Sequence, residues 1–372
     1  MILFTRKAQR TNIDLARSLK IALPRNSRQS RSIFLQTNIS LTFAYIRFAI
    51  SISILSISQR ITWPFSVAAI STGPFRTNVS VDVATFFPNI EGNLTKIVWE
   101  HAVNSKEKLK NALESGDIMM LEADVTLGKL NGTANNTTMM PIMAHPPANE
   151  SDLSLEDFLS TVIQKNVTKG IKLDFKSIEA FNGSRLILEK VRNNTKFPVF
   201  LNADILPGPV NATTTEVDAK AFLGQAVAFP EYTLSVGWTT RYGTKDNVTE
   251  GQYTEQQIQS MINILKEQKV TQPITYPVRA GLAANSIKVM KTLMENSSYA
   301  SNVTLTVWSS EGDKVDAEKL STLVRDIGVE KVFIDVPQDL MKELRLSGAS
   351  SVRVASITLA VTLLTGLLST IL

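Results

Sequence analysis

Between residues 93 and 346 the chain switches repeatedly between two hydrophobic periods. Eight short runs are rich in β-branched and aromatic residues: 96–101 (KIVWEH), 118–125 (IMMLEADV), 170–176 (GIKLDFK), 198–204 (PVFLNAD), 232–238 (YTLSVGW), 273–279 (PITYPVR), 303–308 (VTLTVW) and 331–336 (KVFIDV). The segments between them, such as SKEKLKNALES, SLEDFLSTVIQKN, VDAKAFLGQAV, TEQQIQSMINILKEQ and DAEKLSTLVRDIG, carry apolar residues at helical spacing. Strand and helix alternating eight times predict a (β/α)8 TIM barrel over 93–346. An open doubly wound sheet is the alternative, but no Gly-rich phosphate loop follows the first strand.

Polar residues fall mostly at one end of the predicted strands. The C-terminal ends carry His101, Glu122, Asp124, Lys172, Asp174, Lys176, Asn202, Asp204, Trp238, Arg279, Trp308 and Asp335. A barrel builds its chemistry at that end. Glu122 and Asp124 are two apart on one strand, so both side chains point to one side. Burying two carboxylates together is costly unless a cation neutralises them. Asp174, at the matching end of the next strand, supplies a third oxygen. Three carboxylates with no thiol suit a hard divalent cation, Mg²⁺ or Ca²⁺, with positions open for substrate. The competing reading is an acidic pair salt-bridged to Lys172 or Lys176.

The chain has two histidines, His101 and His145, each just beyond an apolar strand-like run. A lone histidine on such a segment is more often structural than catalytic. Two beside one acidic cluster suit a base and an acid acting across a phosphodiester. No G-x-S-x-G elbow and no H-E-x-x-H zinc spacing is present.

The basic charge belongs to the leader. Residues 1–75 hold ten Lys and Arg against one acid, whereas the remainder carries 29 basic and 33 acidic residues, so the body offers no electrostatic case for nucleic acid. Residues 41–58 (LTFAYIRFAISISILSIS) have the character of a signal h-region, interrupted by Arg47 and preceded by forty residues. At the other end, 347–372 runs from small residues into an apolar terminus, which reads as a GPI-anchor signal or a transmembrane tail.

Cysteine is absent, which excludes disulfides and thiolate sites. Fourteen asparagines open N-x-S/T sequons: 38, 78, 93, 131, 135, 136, 149, 166, 182, 193, 211, 247, 296 and 302. Chance placement makes only about one asparagine in seven a sequon, so this density predicts a glycoprotein on the outer face of the plasma membrane or secreted.

The stretches VWEHAVNS, LEADV, MAHPP, SDLSLEDFL, GIKLDFK, PVFLNADIL, FPEYTLSVGWTT, YPVRAG and LTVW resemble, in order over 96–336, the menorin family. That family is similar to the PLC-like phosphodiesterases, a TIM-barrel superfamily that includes glycerophosphodiesterases and sphingomyelinase D. The resemblance implies His101 and His145 as a catalytic pair, with Glu122, Asp124 and Asp174 as ligands of the divalent cation. It also matches Lys176 to the lysine of the glycerophosphodiesterase E-x-K pattern. Lys172, Asn202, Asp204, Trp238, Arg279 and Trp308 are the expected supporting or substrate-binding residues. Two positions depart from the pattern: Ala102 stands where glycerophosphodiesterases carry Arg, and Pro146 where they carry Asp. The expected function is a metal-dependent phosphodiesterase acting on a phosphodiester or phospholipid. The alternative is a non-enzymatic adhesion or signalling module whose partners are extracellular adhesion proteins.

Overall fold

The computed structural model describes residues 80–132 and 138–347. The basic extension with its h-region, the C-terminal segment from Gly348 onward, and the sequons at Asn38, Asn78, Asn135 and Asn136 lie outside the described residues. Among the described residues, no helix is long and apolar enough to cross a membrane.

Ten strands form among the described residues: β1 (Trp99–Glu100), β2 (Met120–Leu130), β3 (Met140–Met143), β4 (Glu150–Ser151), β5 (Gly170–Phe175), β6 (Val199–Leu206), β7 (Thr233–Trp238), β8 (Ile274–Arg279), β9 (Val303–Trp308) and β10 (Val332–Asp335). Eight of them run in the order β1-β2-β5-β6-β7-β8-β9-β10, every neighbouring pair parallel. The helices are α1 (Val83–Phe86), α2 (Lys106–Glu114), α3 (Leu155–Lys165), α4 (Ile178–Val191), α5 (Ala219–Ala226), α6 (Glu255–Glu267), α7 (Ala280–Ala283), α8 (Ile287–Asn296), α9 (Ala317–Ile327) and α10 (Gln338–Glu343). This is a nearly closed (β/α)8 barrel, as the sequence periods predict.

The helices start where the chain supplies caps. Ser105, Ser154, Ser177, Asp218, Thr254 and Asp316 each accept a first-turn backbone N–H from α2, α3, α4, α5, α6 and α9 respectively, and Thr254 with Gln257 forms a capping box.

Parity along each strand decides what the barrel contains. Leu121, Ala123 and Val125 of β2, Ile171, Leu173 and Phe175 of β5, and Leu234, Val236 and Trp238 of β7 join the helices in the main apolar core. The alternate positions face inward. At the N-terminal end that inner column is apolar, closed by Met120, Phe200 and Phe333 with Ile90, Leu94 and Ile97. Trp99, Phe200 and Phe333 meet there edge to face, with centroids 5.7–6.2 Å apart. Further up, the inner positions are Glu122, Lys172, Asn202, Ser235, Thr275 and Thr306, all buried. Stability therefore resides in the outer shell, while the upper interior is polar.

Two departures from the expected strands matter. The first run, expected over 96–101, is laddered only at Trp99–Glu100, because Leu94–Lys96 forms a 3-10 turn capped by Asn93. Among the described residues the seam between β10 and β1 has no ladder; Leu94 N donates to Val329 O at 2.9 Å near its base. The second run is longer than expected. β2 continues past the barrel and turns back through β3, antiparallel, with Val125 opposite Met143 and Gly128 opposite Met140. Any side chain at Gly128 would collide with Asn149 O and Ile142 Cδ1, so glycine is required for β4 to lie against this tongue.

Candidate functional site

The upper mouth of the barrel encloses a cavity of about 660 Å³, within the range of small-molecule sites. Its lining includes both histidines and Glu122, Lys172, Asp174, Lys176, Asn202, Asp204, Trp308 and Asp335. A smaller cavity of about 400 Å³ at the opposite mouth has Asp82 as its single titratable lining residue among those described. Of the two, the upper mouth offers the chemistry.

Glu122, Asp124 and Asp174 present carboxylate oxygens within 4.8 Å of one another. Strand register causes this: Asp124 is the partner of Asp174 across β2 and β5, and Glu122 lies one inward position below. Each carboxylate is fixed by a neighbour. Asn104 donates to Asp124 Oδ2 at 2.7 Å and accepts from the Asp124 N–H at 3.0 Å. Asn202 donates to Asp174 Oδ1 at 2.7 Å while accepting from Ser235 at 2.5 Å. The Ala102 N–H donates to Glu122 Oε2 at 2.9 Å, from a left-handed backbone with φ 48°.

The Lys176 ammonium lies 2.8 Å from Asp124 and 2.5 Å from Asp174. Burial alone would make Lys176 less basic, but the two carboxylates overcome it and hold the ammonium charged. Burial and the charge of Glu122 push Asp124 up. Burial opposes ionisation of Asp174 and Glu122 as well. Lys176 and Lys172 nevertheless pull Asp174 below the usual carboxylate range, and His101 does the same for Glu122. Asp204 makes no ion pair, and burial together with the Asp174 charge raises it to about 7 against the weaker opposing pull of Lys176 and Lys172.

His101 follows β1 and spans the open seam of the barrel. Its Nε2 lies 2.5 Å from Asp335 Oδ1 at the end of β10, and its Nδ1 lies 3.5 Å from Glu122 Oε2. Burial alone would lower its pKa, but hydrogen bonds and charge from Asp335 and Glu122 raise it to about 10. The side chain remains 53% exposed, so water moderates the effect. Flanked by two acceptors, it is an imidazolium. His145 differs. Its Nδ1 contacts the Pro146 carbonyl at 2.6 Å; a carbonyl only accepts, so Nδ1 carries a proton and Nε2 is the nitrogen turned to other partners. The β2–β3 tongue brings His145 back to the mouth, where it lines the same cavity as His101.

Two of the expected supporting residues lie elsewhere. Trp238 is outward by parity and 1% exposed, packed in the shell with Tyr253 and Tyr276 at 5.4 and 6.3 Å. Arg279 does not line the cavity: its Nε and Nη2 meet Asp313 at 2.6 and 2.9 Å, and its guanidinium lies 4.2 Å over the Trp308 ring. Trp308 does line the cavity. Sequence reasoning missed Asn104, whose type and position carry no signal. It also left Asp335 out of the site, although Asp335 stands at a strand end, and it overlooked Thr214, Thr215, Thr239 and Thr240.

The fold and site define a class: a parallel (β/α)8 barrel with a buried three-carboxylate cluster, suited to a metal ion, and two histidines at its C-terminal mouth. The chain belongs to the menorin family, since residues 93–341 match the model of the menorin N-terminal domain. It is 39% identical over 242 residues to human Protein FAM151B, an alignment that covers 65% of this chain and 82% of that protein. Among solved structures, a glycerophosphoryl diester phosphodiesterase from Parabacteroides distasonis aligns over 70% of this chain and 90% of its own length, at 13% identity and TM-score 0.38. That score is too low to bear on the site.

Proposed function

We propose that the protein is a divalent-metal-dependent phosphodiesterase of the secretory pathway. One observation supports this above the others: both histidines, Glu122 and Asp174 line a single cavity at the barrel mouth, and Asp124 lies within 4.8 Å of those two carboxylates. The residues present fit a hard cation. Three oxygen donors, two buried and one half-buried, lie within reach of one ion, and five carboxylates (Asp204 and Asp335 included) outnumber the lysines and imidazolium that face them. Glu122, Asp124 and Asp174 would hold Mg²⁺ or Ca²⁺, which when bound supplies Lewis-acid polarisation of a phosphoryl oxygen.

The chain's own groups divide the proton work. His145, with a free Nε2, takes the proton of the attacking hydroxyl, from water in a hydrolase or from the substrate in a lyase. His101 starts protonated and donates to the departing oxygen. Held at about 10 by two carboxylates it is a weak acid. A cation held by Glu122 would withdraw one of those carboxylates from His101. Lys172 offers a further positive charge inside the barrel.

Turnover of a panel of phosphodiesters and phospholipids, with Mg²⁺ and with chelator, tests this reading. His101→Ala and His145→Ala should each lower the rate by about 10²–10⁴, with the double variant little worse than either. Wild-type rates in either single variant would overturn the pairing.

The sequons support passage through the secretory pathway. Asn93, Asn166, Asn193 and Asn302 precede strands and so mark the barrel end away from the cavity. A mobility shift on enzymatic deglycosylation, and release from cells by a phosphatidylinositol-specific phospholipase, are the expected results. Retention after the second treatment favours a spanning tail.

One observation favours a second reading. Lys176 already bridges Asp124 and Asp174 and offsets one of their two charges, a reading in which the barrel serves as a binding platform for extracellular adhesion proteins with no cation. Failure to bind Mg²⁺, Mn²⁺ or Ca²⁺, together with no turnover, selects that reading.

A further inference from the structure

The side of the mouth cavity beyond the metal-type cluster has a chemistry of its own. Asp204 projects into the cavity from β6 beside Gly237. A Cβ at position 237 would stand 3.0 Å from Asp204 Oδ1 and 2.8 Å from Pro277, so the absent side chain makes room for the carboxylate. The Asp204 side chain is half-buried and has no hydrogen-bond partner in the protein among the described residues. A ligand that displaces water from this carboxylate must bring a donor to it.

Four threonines share the cavity with it, 214, 215, 239 and 240. Among the described residues, only the Thr239 hydroxyl of these four is engaged by protein, accepting from Gly208 N at 3.1 Å. Trp308 completes this part of the lining. Arg279 covers one face of its ring and does not itself reach the cavity, which leaves another part of the ring to a ligand.

Three headgroup chemistries can be compared. An acyl chain would strand the threonine hydroxyls and the Asp204 carboxylate without partners. A quaternary ammonium needs aromatic faces rich in negative potential. Trp308 is the only partly exposed aromatic ring among the described lining residues, and Arg279 already draws on its π system. A polyhydroxylated ring suits every group: hydroxyls donate to Asp204 and exchange hydrogen bonds with the threonines, while a C–H face packs on Trp308.

We propose that Asp204, the four threonines and Trp308 form a carbohydrate subsite, so that the preferred phosphodiester carries a sugar or cyclitol. The proposal rests on the phosphodiesterase reading for turnover but not for binding. Two measurements on the full chain with Mg²⁺ separate the two. The first is hydrolysis of the methyl diesters of glucose 1-phosphate and of phosphocholine. The second is calorimetric binding of glucose 1-phosphate and phosphocholine themselves. The glucose compounds should be favoured at least tenfold in both. Asp204→Asn, nearly isosteric, and Thr215→Val should each shrink the binding preference. Preference in binding without any turnover removes the enzymatic reading and leaves the subsite standing. Equal or tighter binding of phosphocholine, or a glucose preference unchanged in Asp204→Asn, overturns the subsite.

Discussion

Asp204→Asn should change how stability depends on pH, and the direction follows from the site. The carboxyl is held at about 7 in the folded chain by burial and by the Asp174 charge, against about 3.9 when unfolded. Below pH 4 it is protonated in both states and costs nothing. Between about pH 4 and pH 7 the unfolded chain loses this proton while the folded chain keeps it, so stability falls as pH rises. Above pH 7 both states are ionised and the loss is complete. At about 1.4 kcal/mol per tenfold change in proton affinity the ceiling is roughly 4 kcal/mol. Water in the open cavity screens part of this, which brings the expected effect to about 2 kcal/mol, or about 4 °C in Tm for a domain of this size. The amide introduced by Asp204→Asn does not titrate. The variant should therefore gain on the wild type across pH 4–8 in urea unfolding, measured in chelator so that no ion depresses Asp204. A stability difference that stays flat across that range, or that shrinks as pH rises, refutes the assignment of Asp204 as an acid whose ionisation the folded site opposes.

Three other outcomes are expected. Asp124→Ala should weaken Mg²⁺ or Ca²⁺ binding by more than about tenfold in calorimetry, because the remaining carboxylates repel each other and lose a donor; unchanged affinity removes the cluster as a cation site. Asp335→Asn should lower the His101 pKa from about 10, read by NMR titration in a chain that has only two imidazoles to assign. Trp238→Ala should destabilise by about 3–5 kcal/mol, with substrate affinity unchanged, because the ring is 1% exposed and packs in the outer shell.

The barrel was legible in the sequence because its two periods are strong and its strand ends are chemically marked. LEAD and GIKLDF present their carboxylates on the inward parity, which the apolar residues between them reinforce. Trp238 and Arg279 were misplaced for one reason each. Proximity to a strand's C-terminal end does not say which face a side chain takes, and Trp238 falls on the outward parity shared with Leu234 and Val236. Arg279 finds a carboxylate, Asp313, in a loop 34 residues away, and no local pattern announces such a partner. The same holds for Asp335 and His101, 234 residues apart, which meet because the barrel returns to its start. Lys176 was legible in both of its possible roles, and only the geometry shows it lying between Asp124 and Asp174.

The tongue formed by β2 and β3 makes one strand the common ruler of the site. Glu122 and Asp124 sit on β2 inside the barrel, and the same strand, continued outward, holds through its ladder the segment that ends at His145. The distance from carboxylates to histidine is thus set by paired backbone and not by the length of the connecting tip. Residues inserted or removed at the tip, within 131–139, should pass without effect on the chemistry. A single-residue deletion inside 125–130 or 140–143 would reverse facing or slip register. Length variation in this region is therefore expected to be confined to the tip, where the chain is free to change and the site does not measure it.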